Sequence, residues 1–191
     1  MTKSIMLVGV GGQGTILASK LLTIGLMEAG YDVKMSEIHG MSQRGGSVSS
    51  QVRYSEDEVY SPVIEIGGAD MIVSFEKVEA LRYLKYLKEG GTIVANNYKM
   101  DSVATITGKA EYKVEEVDQK LKDLNAKVIN AADKAMELGN AKVMNIILLG
   151  TVIKAMHLEH IDWESIIKNN VKEKFIDINI RALHEGMALV S

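Results

Sequence analysis

Three glycines near the N-terminus follow the pattern G-x-G-x-x-G, and their spacing is the first sign of chemistry in the chain. An apolar run precedes them and apolar residues at helical spacing follow, so they form a strand–turn–helix junction. Backbone amides at such a junction can approach a phosphate closely, which predicts a phosphate-bearing ligand. The alternative is that glycine here only lets strand and helix pack closely. The candidate binding residues are Gly9, Gly11, Gly12, Gln13, Gly14 and Thr15.

A second loop, residues 36–46, concentrates polar side chains that could bind the same ligand. It holds one carboxylate, one imidazole, one amide, one guanidinium and three glycines, with little apolar content. The guanidinium offers a planar fork that matches phosphate or carboxylate, and its neighbours could orient it. The alternative is a surface loop whose arginine contacts solvent or Glu37. The candidate residues are His39, Gln43, Arg44 and Gly45.

Glu37 favours a second hypothesis, an independent NAD(P)- or nucleotide-binding Rossmann-like protein. It lies about 20 residues beyond the last glycine, where an acidic residue binds the ribose in dinucleotide-binding folds. The segment after it lacks the helix expected of a dinucleotide-binding half and carries Arg44, with which Glu37 could equally pair.

The elements that position these loops alternate in the order that builds a parallel sheet. The sequence predicts an α/β fold: a three-layer, Rossmann-like, mostly parallel sheet with helices on both faces, one irregular or antiparallel strand and a helical C-terminal part. Residues 48–54 alternate in polarity, which predicts an amphipathic strand where a regular doubly wound fold would have another helix. Predicted strands cover residues 4–10, 33–38, 48–54, 69–75, 92–95 and 127–130, with an extended piece at 103–106.

Helical spacing and stop signals predict the remaining elements. The helix at residues 142–156 is apolar nearly all round, which predicts a core helix, and Trp163 is a predicted packing anchor. Asp162 is a predicted N-cap. Predicted helices cover residues 15–29, 78–88, 114–124, 132–138, 142–156 and 162–170, with a last one inside 175–190.

The carboxyl ends of parallel strands share one edge of a sheet, where ligands bind in such folds. Four polar segments follow predicted strands and are expected to line one crevice there. Glu76, Asn96 and Asn97 could equally cap the next helix or turn. The four segments are residues 10–14, 37–44, 75–76 and 96–97.

Composition limits the function classes. The 191 residues are expected to form one domain, 1–191, and a net charge of −3 without a basic block argues against generic nucleic-acid binding. The N-terminal apolar run is too short for a membrane span, so a cytoplasmic protein is expected. There is no cysteine to hold an iron–sulfur cluster, and the four histidines are too scattered for a metal site.

Four motifs in this order resemble the gamma-type domain of 2-oxoacid:ferredoxin oxidoreductases. They are GVGGQG at residues 9–14, HGMSQRGG at 39–46, FE-x-x-EALRYL-x-YL at 75–87 and ELGNAKVMNIILLG at 137–150. The resemblance implies oxidative decarboxylation of a 2-oxo acid to an acyl-coenzyme A, with thiamine diphosphate and iron–sulfur clusters passing electrons to ferredoxin.

The chain lacks the groups that usually bind two of the cofactors of that reaction. It has no cysteine, and no Gly-Asp dipeptide with which the usual thiamine diphosphate motif would begin. The resemblance therefore implies that thiamine diphosphate and the iron–sulfur clusters belong to a large catalytic partner subunit. It also implies that this chain interacts with ferredoxin only indirectly, through that subunit. This chain is expected to shape the subunit interface and to help bind coenzyme A, and no catalytic residue is assigned to it.

Overall fold

The computed structural model describes residues 1–40, 45–101, 103–109 and 111–190. Its strands are β1 (Lys3–Val10), β2 (Asp32–His39), β3 (Ser47–Ser55), β4 (Ala69–Ser74), β5 (Leu87–Asn96) and β6 (Lys127–Ile129). They form one sheet in the order β2-β3-β1-β4-β5-β6. β1, β4, β5 and β6 are parallel neighbours, whereas β3 is antiparallel to both β1 and β2. The predicted mostly parallel sheet with one antiparallel strand is confirmed.

Helices pack on both faces of this sheet. They are α1 (Thr15–Glu28), α2 (Lys77–Arg82), α3 (Val103–Ile106), α4 (Val114–Asp123), α5 (Ala131–Glu137), α6 (Met144–Ala155), α7 (Trp163–Asn170) and α8 (Ile176–Ala188). The main hydrophobic cluster joins the sheet to α1 and to α5 through α8, and a smaller cluster joins β5 to α2 and α4. The layers predicted from the sequence are therefore present.

Helix α6 is the centre of the main cluster, as its all-round apolar pattern predicts. Its residues from Met144 to Ile153 are all buried. Trp163 is 4% exposed and donates a hydrogen bond from its Nε1 to the Leu158 carbonyl at 2.8 Å, which confirms it as a packing anchor. Asp162 accepts a hydrogen bond from the Ser165 N–H at 3.0 Å and caps α7 as predicted.

The prediction that β3 is amphipathic is wrong. Ser49, Ser50 and Gln51 are as buried as the valines that flank them. β3 lies between two strands, α1 packs on one of its faces, and Ile64 from the following loop packs on the other, donating its N–H to Gln51 Oε1 at 2.6 Å. Polarity alternates along β3, but burial does not.

Two other predicted elements differ from the structure. Residues 103–106 form helix α3 rather than an extended piece, because so short an apolar run has no period that separates a strand from a helical turn. The helix predicted over residues 78–88 ends at Arg82, and β5 begins at Leu87. Leu84 packs on the smaller cluster from a 3₁₀ turn, and Leu87 packs on it from the strand.

Asp32 ties the edge strand β2 to the loop between β3 and β4. Its carboxylate accepts hydrogen bonds from the Val59 N–H at 2.7 Å and from Lys34 Nζ at 3.0 Å. The bond from the Val59 backbone, and then the one from Lys34, hold the pKa of Asp32 below its ordinary value. Such a carboxyl stabilises the fold above its unfolded-state pKa, and the contribution is lost as the pH falls through the folded-state value.

The substitution Asp32→Asn tests this contribution. We expect the free energy of unfolding of the wild type to exceed that of the variant most at neutral pH, and the difference to shrink as the pH falls from about 5 to about 3. Urea unfolding across that range measures it. Glu89→Gln, which alters an exposed carboxylate with no ion pair to a described residue, is the control. A difference for Asp32→Asn that is independent of pH would contradict the assignment.

Candidate ligand-binding site

The glycine loop after β1 is fixed to the end of β4 by the buried Gln13 side chain. Its Oε1 accepts a hydrogen bond from the Val10 N–H at 2.8 Å, and its Nε2 donates to the Phe75 carbonyl at 3.1 Å. Asn96 at the end of β5 donates to the same carbonyl at 3.3 Å. The ends of β1, β4 and β5 therefore converge as predicted. Both ends of the Gln13 amide are engaged inside the protein, so this side chain shapes the loop.

Gly14 starts helix α1 as its N-cap in the left-handed conformation, with φ of 83°. Glycine adopts this conformation without strain, and a Cβ there would lie only 2.7 Å from Asn145 Nδ2 on α6. Within the described ranges, no side chain caps α1 and its first turn holds no acidic residue. The amides of that turn remain available to a ligand, and the partial positive charge of the helix N-terminus favours an anion.

The N-terminus of α1 opens into a cavity of about 900 Å³, a size typical of small-molecule sites. The glycine loop forms one wall, and the opposite wall comes from α5, the start of α6 and the segment that leads into α8. Its lining combines apolar groups with side-chain amides. The apolar lining includes Leu17, Tyr98, Met100, Met136, Val143, Met144 and Phe175, and the amides are Gln13, Asn97, Asn140, Asn145, Asn170 and Asn179.

Asn145 is one of the polar residues of this wall that were not predicted from the sequence. It is 5% exposed, and its Nδ2 donates to the Gly14 carbonyl at 3.4 Å. Its Oδ1 accepts no hydrogen bond from a described residue, although the residue lines the cavity. The signal was present in the sequence, because Asn145 is a single amide in a helix that is otherwise apolar over its first seven residues.

Two lysines give the cavity rim a positive charge. Lys142 and Lys172 line the cavity and are exposed, and neither forms an ion pair with a residue in the described part of the chain. Asp133 on α5 is the acidic group of the lining. An anionic ligand can therefore meet two cationic side chains of the lining in addition to the helix N-terminus.

A second cavity of about 390 Å³ lies across Met100, which borders both. Gly45, Glu76 and Glu79 line it. Its buried carboxylates are engaged within the protein: Glu76 accepts hydrogen bonds from the Val78 and Glu79 N–H groups at 2.8 and 3.2 Å and from the Tyr112 hydroxyl. Burial raises the pKa of Glu76, while these hydrogen bonds oppose the shift. Glu76 thus caps α2, the alternative role noted from the sequence.

The predicted site residues fall into four groups. Gly12, Gln13 and Gly14 line the larger cavity and Gly45 the smaller one. Thr15 and Gly9 are packed beneath the loop, and Gly11 donates its N–H to the Gly46 carbonyl at 2.9 Å, which joins the two glycine-rich loops. His39 is exposed at the end of β2, 3.7 Å from Glu37, and lines neither cavity. Gln43 and Arg44 lie outside the described residues.

The predicted approach of Glu37 to the glycine loop is not seen. β3 lies between β1 and β2, so the end of β2 is two strands away from the end of β1. The Glu37 carboxylate instead accepts a hydrogen bond from Ser19 Oγ of α1 at 3.4 Å. No local pattern in the sequence predicts that the third strand is inserted between the first two.

Comparisons with known proteins decide the family. A family model described as pyruvate ferredoxin/flavodoxin oxidoreductase matches residues 4–189. The chain belongs to this family. It is 40% identical over 190 residues to indolepyruvate oxidoreductase subunit IorB of Thermococcus kodakarensis, covering 96% of this chain and 94% of that protein. It is therefore a small subunit of a 2-oxoacid:ferredoxin oxidoreductase, as the four motifs predicted.

Solved structures of this family share the fold. The gamma subunit of a keto/oxoacid ferredoxin oxidoreductase from Geobacter sulfurreducens superimposes with a TM-score of 0.71 at 21% identity, over 98% of this chain and 97% of that one. The 2-oxoglutarate:ferredoxin oxidoreductase of Magnetococcus marinus, with 2-oxoglutarate, coenzyme A and succinyl-CoA bound, gives 0.74 at 19% identity. There the fold occupies 31% of a longer chain while 98% of this one is covered.

The donor groups of this chain set limits on what it can hold. It has no cysteine, so it offers no thiolate to an iron–sulfur cluster. The described residues contain no group of three His, Asp or Glu side chains placed to hold a metal ion. Nor does any helix in the described ranges have the length and apolar character needed to cross a bilayer.

Proposed function

We propose that this chain is the coenzyme-A-binding, non-redox subunit of an enzyme that oxidatively decarboxylates indolepyruvate, or a related aryl pyruvate, to an acyl-CoA. The observation that carries the proposal is the 900 Å³ cavity into which the uncapped N-terminus of α1 opens. The chain contributes binding and shape, and the redox chemistry belongs to its larger partner.

The lining of the cavity complements the phosphates and the pantetheine arm of coenzyme A. The α1 N-terminus with Gly12 and Gly14 suits a pyrophosphate, and Lys142 and Lys172 at the rim suit a further phosphate. The pantetheine arm alternates amide and alkyl groups, and the wall offers side-chain amides such as Asn145 between apolar side chains. The Oδ1 of Asn145, which accepts no hydrogen bond from the described part of the chain, can accept one from an amide N–H of the ligand.

Substrate and partner are inferred from the relatives and from the donor groups. The chain matches IorB proteins of several archaea over nearly their whole length, which supports indolepyruvate as the 2-oxo acid. The chain has no cysteine for iron–sulfur clusters and no Gly-Asp dipeptide to begin the usual thiamine diphosphate motif, so we assign both cofactors to the larger catalytic subunit. Thiamine diphosphate would supply the decarboxylation chemistry on that subunit, and this chain would present coenzyme A to the acyl group. Such an enzyme works in the cytoplasm.

The geometry does not favour the nicotinamide hypothesis. A dinucleotide-binding fold needs its ribose-binding acid on the strand next to β1, and here that neighbour is β3. Glu37 is engaged by Ser19 and lies beside His39. We therefore expect no micromolar binding of NAD or NADP.

Reconstitution tests the proposed function. The wild-type chain is mixed anaerobically with the larger subunit, and coenzyme-A-dependent reduction of a dye by indolepyruvate is measured together with calorimetric titration of coenzyme A and NAD. We expect turnover by the complex and none by this chain alone. Turnover by the isolated chain, or micromolar binding of NAD without binding of coenzyme A, would contradict the proposal.

Arg44→Ala tests the second loop, whose arginine was predicted from the sequence to bind an anion. Loss of a charge-assisted contact of about 1.5–3 kcal/mol raises the Michaelis constant for coenzyme A by about 10- to 150-fold and leaves the melting temperature unchanged. Lys20→Ala, at an exposed position of α1, is the control. If the kinetics were unaffected while assembly with the larger subunit failed, the loop would be an interface element.

A further inference from the structure

The loop between β3 and β4, residues 56–68, is unusually well fixed for an exposed connection. Arg53 Nη1 donates to the carbonyls of Ser61 and Val63 at 3.2 and 3.0 Å, on either side of the rigid Pro62. Further hydrogen bonds hold the Val59 N–H to Asp32 at 2.7 Å and the Ile64 N–H to Gln51 at 2.6 Å. The loop is therefore held in one shape by side chains of β2 and β3.

This rigid loop exposes three large apolar side chains. Val59 and Ile64 are 2% and 1% exposed and anchor the loop in the core, whereas Tyr60, Val63 and Ile66 are 86%, 57% and 70% exposed. Apolar groups on a rigid frame lose little conformational entropy when a partner covers them, and tyrosine is enriched at the centres of protein interfaces. The arrangement is that of a preformed contact surface.

The charges around the surface determine which partner fits it. Glu56, Asp57, Glu58 and Glu65 are exposed, and residues 56–68 contain no lysine, arginine or histidine. The cations next to the loop are Arg53, whose guanidinium donates to the Ser61 and Val63 carbonyls, and Lys85, whose carbonyl accepts a hydrogen bond from the Gly67 N–H at 3.0 Å. Two copies joined through this loop would bring carboxylates against carboxylates, so a second copy of the chain is disfavoured and a partner with a basic rim is favoured.

We propose that residues 56–68 are the docking element for the larger catalytic subunit, which presents an apolar pocket ringed by lysine or arginine. The inference rests on the proposed function for the existence of that partner. The loop joins the end of β3 to the start of β4, so it lies at the sheet edge opposite the glycine loop. None of the residues 56–68 lines the larger cavity, so coenzyme A binding and docking of the larger subunit can be measured separately.

The double variant Tyr60→Ser, Ile66→Ser tests the proposal, with Met27→Ser as the matched control. Met27 is 59% exposed at the end of α1, far from the loop in sequence. Each chain is titrated against the larger subunit by biolayer interferometry, and coenzyme A binding and the melting temperature are recorded on the same samples. We expect the double variant to bind the larger subunit at least 30-fold more weakly and the control to bind as the wild type does.

A charge-reversal variant, Glu56→Lys with Glu58→Lys, supplies an independent arm. It is expected to weaken assembly at least 10-fold at low salt and by less at high salt, because screening removes both the attraction and the new repulsion.

Wild-type affinity of the double variant for the larger subunit would overturn the proposal. So would loss of self-association by the double variant, measured by sedimentation, with unchanged binding to the larger subunit. Failure of the wild type to bind the larger subunit would instead count against the proposed function.

Discussion

Leu17→Glu is expected to abolish most of the affinity for coenzyme A without destabilising the protein. Leu17 is 37% exposed in the first turn of α1 and lines the larger cavity. A carboxylate at this third helical position caps free amides and complements the helix dipole, which stabilises the helix by about 0.3–1 kcal/mol. The same carboxylate meets the ligand phosphates, and repulsion between charges about 4 Å apart amounts to about 1–4 kcal/mol at effective dielectric constants between 80 and 20.

These energies set the expected result. The Michaelis constant for coenzyme A rises by about 5- to 700-fold, since about 1.4 kcal/mol is a factor of ten. The melting temperature stays the same or rises slightly. Leu17→Gln, which changes shape and polarity without charge, is the control and should change the constant far less. A parallel loss of stability and affinity in both variants would show that position 17 matters for packing and not for an anion.

Gly186→Ala is expected to be the most destabilising single substitution in the C-terminal helices. A Cβ on Gly186 of α8 would lie 1.9 Å from the Ile147 carbonyl oxygen of α6, and one on Gly150 would lie 2.4 Å from the Leu183 carbonyl oxygen. These are backbone atoms of packed helices, so the helices must separate. Overpacking of this kind costs about 3 kcal/mol or more, which lowers the melting temperature of a protein of this size by about 6–12 °C.

The separation of α6 and α8 also reaches the ligand site. Asn145 on α6 and Asn179 on α8 line the larger cavity, so a shift between the helices moves two of its amides. Calorimetry of unfolding and titration of coenzyme A both report on this variant. Arg181→Ala, at an exposed position of α8, should change neither. A melting temperature within about 2 °C of the wild type would contradict the close helix contact.

Most of the fold could be predicted because the local patterns are strong. The apolar run of β1, the glycine turn and the helical spacing of α1 all agree, and the apolar character of α6 places it in the core. The position of β3 could not be predicted, because its insertion between β1 and β2 follows from pairing with strands distant in sequence. Burial of Ser49 and Ser50 has the same origin, since it depends on what covers each face.

Only the wall of the site that the glycine loop forms could be predicted from the sequence. The glycine pattern located the N-terminus of α1, but the opposite wall is built by Asn140, Asn145 and Asn179, which are more than 100 residues away in sequence. No local pattern joins these amides to the glycine loop. The contact of Asn145 with Gly14, which brings the walls together, is a tertiary contact between α6 and the start of α1.

Amide hydrogen exchange of the assembled enzyme, with and without coenzyme A, tests the central claim most directly. The account predicts that coenzyme A slows exchange at residues 12–17 and 140–145 of this chain, while NAD at the same concentration slows neither. Protection confined to the larger subunit, or found in this chain only around residues 45–47 and the smaller cavity, would contradict the claim that the cavity at the N-terminus of α1 binds coenzyme A.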